Sequence, residues 1–92
     1  MFEKLEIWER GTDKTTIYLV FRHLETGLHH VQQANVLQHG ASLQDVREAM
    51  ATHRHYAADL FNDQSPAERS RGYGTVKEAV EMHKSAFAEI LA

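Results

Sequence analysis

The segment from Thr15 to Leu24 constrains the fold more than any other part of this 92-residue chain. It is rich in β-branched and aromatic residues, which favour a strand. Because side chains alternate along a strand, one face would carry Ile17, Leu19 and Phe21, and the other Tyr18, Val20 and Leu24. Apolar residues on both faces predict a central strand.

Turn-forming residues on each side of this segment predict two neighbouring strands. Glu25-Thr26-Gly27 fits a three-residue hairpin loop with glycine at the position that needs a positive φ. It leads into a strand from Leu28 to about Leu37. Before the central strand, Lys4 to Glu9 predicts a shorter strand, which is joined through the residues from Gly11 to Lys14. The result is a three-stranded antiparallel meander.

The predicted hairpin also brings two histidines together. If the loop closes at Leu24 and Leu28, the next pair inward is His23 and His29, on the face that carries Phe21. Joined by a histidine from a covering helix, such a set can hold zinc. The alternative, which we prefer, is two solvated histidines at the end of the sheet, because no local spacing in the chain chelates a metal. We therefore predict no metal and no cofactor.

Three capping signals predict the helices that follow the strands. In each of them a hydroxyl residue precedes an acidic residue by three positions, which is typical of a helix start. The capping residues are Ser42, Ser65 and Thr75. Helices are predicted over about 43–61, 66–71 and 76–91. The predicted fold is a single α+β domain over residues 1–92, in which the meander is followed by two long helices and a short helical turn, with the helices packed on one face of the sheet.

Two histidines lie in the apolar stripes of the long helices. The first stripe consists of Leu43, Val46, Met50, His53, Ala57 and Leu60, and the second of Val76, Val80, His83, Phe87 and Ile90. His53 and His83 are therefore predicted to be core histidines, at least half buried, with a polar partner on one ring nitrogen. Because burial disfavours the imidazolium, folding stability is predicted to fall on acidification between about pH 7 and pH 5.

The composition excludes several classes of protein. The chain has no cysteine, so it can form neither a disulfide nor a thiolate metal site, and this fits a cytoplasmic protein. The net charge of −3 argues against general nucleic-acid binding, which requires a basic surface. No stretch of the sequence approaches the roughly 20 apolar residues of a membrane span.

Two surfaces are candidates for binding. If both helices cover one sheet face, the other face and the free strand edges predict an interface with another protein or a second copy. The candidate interface residues are Trp8, Tyr18, Val20, Leu24 and Leu28. Ahead of the last helix, two guanidiniums and an aromatic ring predict an anion-binding loop that consists of Arg69, Arg71 and Tyr73. For the sheet face, the alternative is a loop or the short turn at Pro66 that covers it. For the segment from Arg69 to Gly74, the alternative is an ordinary linker.

The sequence contains no catalytic motif. His55 and Asp59, four residues apart on the first long helix, either orient an imidazole as a base or form a helix-stabilising surface pair. We predict a small, non-enzymatic interaction or regulatory protein that binds a protein partner, or itself as a homodimer, through its sheet face or a strand edge. The alternative is a ligand-binding or enzymatic module that uses histidines and the Arg69–Gly74 loop.

Overall fold

A computed structural model gives the backbone of residues 1–91 and the side chains of residues 1–86. The strands are β1 (Phe2–Arg10), β2 (Lys14–His23) and β3 (His29–Gln38), and the helices are α1 (Leu43–Asp63), α2 (Pro66–Arg69) and α3 (Val76–Leu91). The sheet is antiparallel with the strand order β1-β2-β3. The predicted α+β fold, a meander followed by two long helices and a short one, is confirmed.

The positive φ of Gly27 and the three helix caps agree with the sequence prediction. Gly27, in the hairpin loop, has a φ of 76°. The hydroxyl groups of Ser42, Ser65 and Thr75 accept hydrogen bonds of 3.1, 3.3 and 3.1 Å from the backbone N–H three residues on. These bonds satisfy N–H groups that have no partner within the helix. No helix within residues 1–91 is long and apolar enough to cross a membrane.

The register of the β2–β3 hairpin differs from the predicted one. The backbone N–H of His23 donates to the carbonyl of Leu28 at 2.9 Å, so the loop spans residues 24–28. His29 then pairs with Arg22 instead of His23. Because side chains alternate along a strand, His23 and His29 lie on opposite faces of the sheet. The predicted zinc-binding alternative therefore lacks its cross-strand pair, and no group of metal-binding side chains is placed together among the described residues.

The two long helices pack on opposite faces of the sheet, which corrects the prediction that both cover one face. α3 covers the face of β2 that carries Tyr18 and Val20, and the buried cluster there includes Ala79 and Val80 of α3. α1 lies over the other face, where the rings of Phe61 and Phe21 have centroids 5.1 Å apart. The physical reason lies in β2 itself: the five residues 17–21 are all buried, so both faces require a cover.

A short segment carries the chain from the α1 face to the α3 face around the edge of β3. Tyr73 forms an antiparallel bridge with His29. The N–H of His29 donates to the Tyr73 carbonyl at 2.7 Å, and the N–H of Tyr73 donates to the His29 carbonyl at 2.9 Å. In the same segment, the Ser70 carbonyl lies 2.9 Å from Nδ1 of His30. These contacts explain how two consecutive long helices reach opposite faces.

The two helix histidines are both partly buried, as predicted, but they differ in their surroundings. The Nδ1 atom of His53 is buried and has no hydrogen-bond partner among the described residues. The His83 ring packs edge-on against the ring of Tyr18, with centroids 6.1 Å apart. Burial lowers the pKa of His83 from its usual 6.5. Phe87 and Ile90 of the predicted α3 stripe lie outside the described side chains.

We expect His83→Leu to weaken the pH dependence of folding stability. Because the pKa of His83 is lowered in the folded state, the unfolded chain binds more protons near pH 6.5. The free energy of unfolding of the wild type should therefore fall as the pH drops below 6.5, and it should level off below the folded-state pKa. Urea unfolding between about pH 5 and pH 7 measures the effect, with His55→Leu on the exposed face of α1 as the control. Equal pH profiles for the wild type and His83→Leu would contradict the prediction.

Candidate interaction site

The outer edge of β1 is the most extensive unpaired edge of the sheet. Within residues 1–91, β1 pairs with β2 alone, in an unbroken register from Phe2 to Arg10. The outer edge of β3 differs in two ways. It is bridged by Tyr73 at its first residue, and its pairing with β2 contains a register shift. A long, regular edge is a template for a further strand, whereas a bulge or a covering segment disfavours pairing.

Alternate residues of β1 direct their main-chain groups to this free edge. The N–H of Leu24 donates to the carbonyl of Met1 at 3.0 Å, so the main-chain groups of Met1 point towards β2. In an antiparallel pair such residues alternate with residues whose main-chain groups point away from the neighbour. The outward-pointing residues are therefore Phe2, Lys4, Glu6, Trp8 and Arg10. Their N–H and C=O groups are the ones that an added strand would bind.

The side chains of these outward-pointing residues lie on the α1 face of the sheet. They share it with Phe21 and Ile17, which pair with Lys4 and Trp8. α1 packs chiefly over β3 and touches the start of β1 through one aromatic ring, so it leaves the middle and the end of β1 open on this face. Trp8 is 55% exposed there. The outer edge of β1 therefore combines free main-chain groups with an exposed aromatic ring and charged side chains of both signs.

A groove of about 410 Å³ separates α1 from β1 and β2 on this face. It is lined mainly by apolar side chains of β2 and α1, together with polar residues that include Lys4 and Glu6 of β1. Gln33, which is 8% exposed, also lines the groove, and its Nε2 atom has no hydrogen-bond partner among the described residues. Such an unpaired buried group costs about 1–3 kcal/mol. α1 itself has no fully buried residue.

The structure separates the predicted interface residues into two groups. Tyr18 and Val20 are only 5% and 0% exposed, because α3 covers them. The prediction of an exposed sheet face at these two residues is therefore wrong. Trp8, Leu24 and Leu28 are exposed, at 55%, 42% and 38%. Leu24 and Leu28 lie in the hairpin loop, so Trp8 alone of this set belongs to the free edge of β1.

The residues predicted to bind an anion make contacts within the chain instead. Nη2 of Arg69 donates to the Leu60 carbonyl at 3.1 Å and lies 3.6 Å from the Asp63 carboxylate. Its guanidinium therefore caps the last turn of α1. Tyr73 packs against the core, and the Arg71 guanidinium lies 5.8 Å from the centre of the Tyr73 ring. Arg69 is thus engaged with α1 and Tyr73 with the core, whereas Arg71 is exposed and lies over the Tyr73 ring.

The predicted histidine–acid pair on α1 is exposed. Nε2 of His55 lies 3.5 Å from the Asp59 carboxylate, with the two side chains 83% and 66% exposed. At this spacing on an open helix face, the pair corresponds to a helix-stabilising contact.

Comparisons of the chain with protein-family models, with curated proteins and with solved structures give no match. The site is therefore defined by its geometry. Trp8 and the strand edges were predicted from the sequence, whereas Lys4, Glu6 and Gln33 were not. A signal for the first two was present in the alternation of opposite charges along β1. Gln33 gave no such signal, since its burial depends on the distant helix α1.

Proposed function

We propose that this protein is a non-enzymatic interaction module that binds an extended chain segment along the free edge of β1. The observation that carries the proposal is the row of outward-facing main-chain groups on Phe2, Lys4, Glu6 and Trp8. An added strand would satisfy these groups, and its alternate side chains would lie beside those of β1. The absence of cysteine supports a cytoplasmic setting for this interaction.

The side chains on the edge supply selectivity. Charged residues on an edge strand discourage indiscriminate pairing, because an uncharged partner leaves them without a counterion. Lys4 and Glu6 therefore favour a partner with opposite charges at the facing positions. Trp8 is exposed and can bury an aromatic ring against the partner, as aromatic residues commonly do at interfaces.

We expect Glu6→Pro to prevent strand addition and to retain the fold. Proline lacks an N–H group, but the N–H of Glu6 points to the free edge, so no bond to β2 is lost. The matched control is Ile7→Pro, because the N–H of Ile7 points to β2. That variant should unfold at a clearly lower urea concentration than the wild type, whereas Glu6→Pro should remain close to it.

The probe for strand addition is a short peptide of alternating threonine and valine, which has a high strand propensity, with a glutamate and a lysine two positions apart at its centre to face Lys4 and Glu6. It is titrated into dilute protein and followed by NMR. The amide signals of Lys4, Glu6 and Trp8 should shift in the wild type, because these groups gain hydrogen bonds. The signals of Lys4 and Trp8 should stay unchanged in Glu6→Pro. Unchanged wild-type signals would overturn the proposal.

A further inference from the structure

The charges on β1 complement those of a second β1, and we infer that the partner at this edge is a second copy of the same chain. This inference rests on the proposed strand addition at β1. The two strands would run antiparallel across a two-fold axis through the Leu5–Leu5 pair. Lys4 of each copy would then face Glu6 of the other, and Phe2 would face Trp8.

Hydrogen bonding limits the registers that are open to such a pair. Only the residues with outward-facing main-chain groups can exchange bonds across the new edge. They occupy every second position of β1, so the two-fold axis must pass through a residue and not between two residues. The registers that overlap most of β1 are those centred on Leu5, Glu6 and Ile7.

Charge selects one of these three registers. Centring on Glu6 sets this carboxylate opposite its own copy. Centring on Ile7 sets Lys4 opposite Arg10, which is again a pair of like charges. Centring on Leu5 sets Lys4 opposite Glu6 twice, once on each side of the axis. Opposite charges across strands are stabilising and like charges are destabilising, so the register centred on Leu5 is favoured.

The apolar side chains agree with the same register. On the α1 face, Trp8, which is 55% exposed in the single chain, would pack beside Phe2 of the second copy. On the α3 face, Leu5 would meet Leu5 of the second copy. The two-fold axis is perpendicular to the joined sheet, so both α1 helices would lie on one face and the two grooves would open towards each other. Self-pairing thus covers the Trp8 ring, which is exposed in the single chain.

A charge exchange tests both the partner and the register. Lys4→Glu and Glu6→Lys each set like charges opposite at both symmetry-related pairs, so each should raise the dimer Kd by about tenfold or more. An equimolar mixture of the two variants should form a heterodimer, since one chain then carries two acids and the other two bases. The double variant K4E/E6K should dimerise as the wild type does. Sedimentation velocity measures dimerisation of the two single variants, of their mixture and of the double variant. Lys77→Glu on α3 is the control for net charge.

A cysteine cross-link tests the position of the axis. The chain has no cysteine, so Leu5→Cys introduces a single thiol. At a non-hydrogen-bonded pair, facing Cα atoms are about 4.5 Å apart, within the range of a disulfide. Leu5→Cys should cross-link rapidly in an oxidising buffer, and Ile7→Cys should not. Preferential cross-linking of Ile7→Cys would overturn the register. If Leu5→Cys fails to fold, the charge variants still test the register, because Lys4 and Glu6 are exposed.

Different results would overturn self-pairing of β1 and strand addition to β1 in general. Wild-type protein that sediments as a monomer at about millimolar concentration, near −4 kcal/mol of binding free energy, would overturn self-pairing. If the threonine–valine peptide still shifts the β1 amides, strand addition stands and the partner is another protein. A dimer that persists unchanged in Glu6→Pro would place the dimer interface elsewhere and overturn self-pairing at β1, and the peptide titration would still decide strand addition.

Discussion

Replacing Phe21 by alanine should destabilise the protein by about 3–5 kcal/mol, because truncating a buried aromatic residue in a core removes both contacts and transfer free energy. Phe21 is 7% exposed. Its ring centroid lies 5.1 Å from that of Phe61 in α1 and 6.3 Å from that of Phe2 in β1. Small domains have a total stability of about 5–15 kcal/mol. The variant should therefore be marginally stable in urea unfolding monitored by circular dichroism.

The same aromatic cluster attaches α1 to the sheet. α1 has no fully buried residue, so the contact between Phe61 and Phe21 contributes a large share of its attachment. Loss of Phe21 should therefore increase hydrogen exchange in α1 more than in α3. Tyr56→Ala, at a residue that is 53% exposed on the same helix, is the control and should change stability by no more than about 0.5 kcal/mol. If Phe21→Ala and Tyr56→Ala lower the free energy of unfolding equally, α1 is held by other contacts.

The strands and helices could be predicted because each depends on residues that are close in the sequence. The alternation in β2, the positive φ at Gly27 and the hydroxyl caps at Ser42 and Ser65 are all local features. The hairpin register was more difficult. A loop that closes at His23 and Leu28 differs by one residue from one that closes at Leu24 and Leu28, and this shift alone reversed the face of His29.

The placement of the two long helices could not be predicted from local features. An apolar stripe indicates that a helix packs on something, but it does not indicate which sheet face. That choice depends on the segment after α2, which passes around the edge of β3 through the contacts of Tyr73 with His29 and of Ser70 with His30. These partners are 44 and 40 residues apart in the chain.

The candidate site was predictable only in part for the same reason. That β1 is an edge strand follows from the meander, and the charges on it are visible in the sequence. Which of the two sheet edges remains open could not be predicted from the sequence, since Tyr73 bridges β3 through a contact that only the folded chain shows. The expected interface at Tyr18 and Val20 was wrong because α3 reaches that face by this route.

Gly72→Ala tests the route directly and is expected to destabilise the protein by about 1–3 kcal/mol through overpacking. A Cβ atom at Gly72 would lie 2.6 Å from Cε1 of His30 and 2.8 Å from Cβ of Leu28. The His30 ring is 5% exposed and is held by the Ser70 carbonyl at 2.9 Å. The ring therefore cannot rotate away without the loss of this partly buried hydrogen bond, so the segment must shift from the β3 edge.

Gly74→Ala is the matched control in the same segment. A Cβ atom at Gly74 would meet nothing within 4 Å, and neither glycine has a positive φ. Alanine reduces the conformational entropy of the unfolded chain at both positions, which alone would stabilise each variant by about 0.4–1 kcal/mol. The difference between the two variants in urea unfolding thus isolates the contact with His30. If Gly72→Ala is as stable as Gly74→Ala, the segment does not pack against His30, and the path that places α3 on the Tyr18 face must be revised.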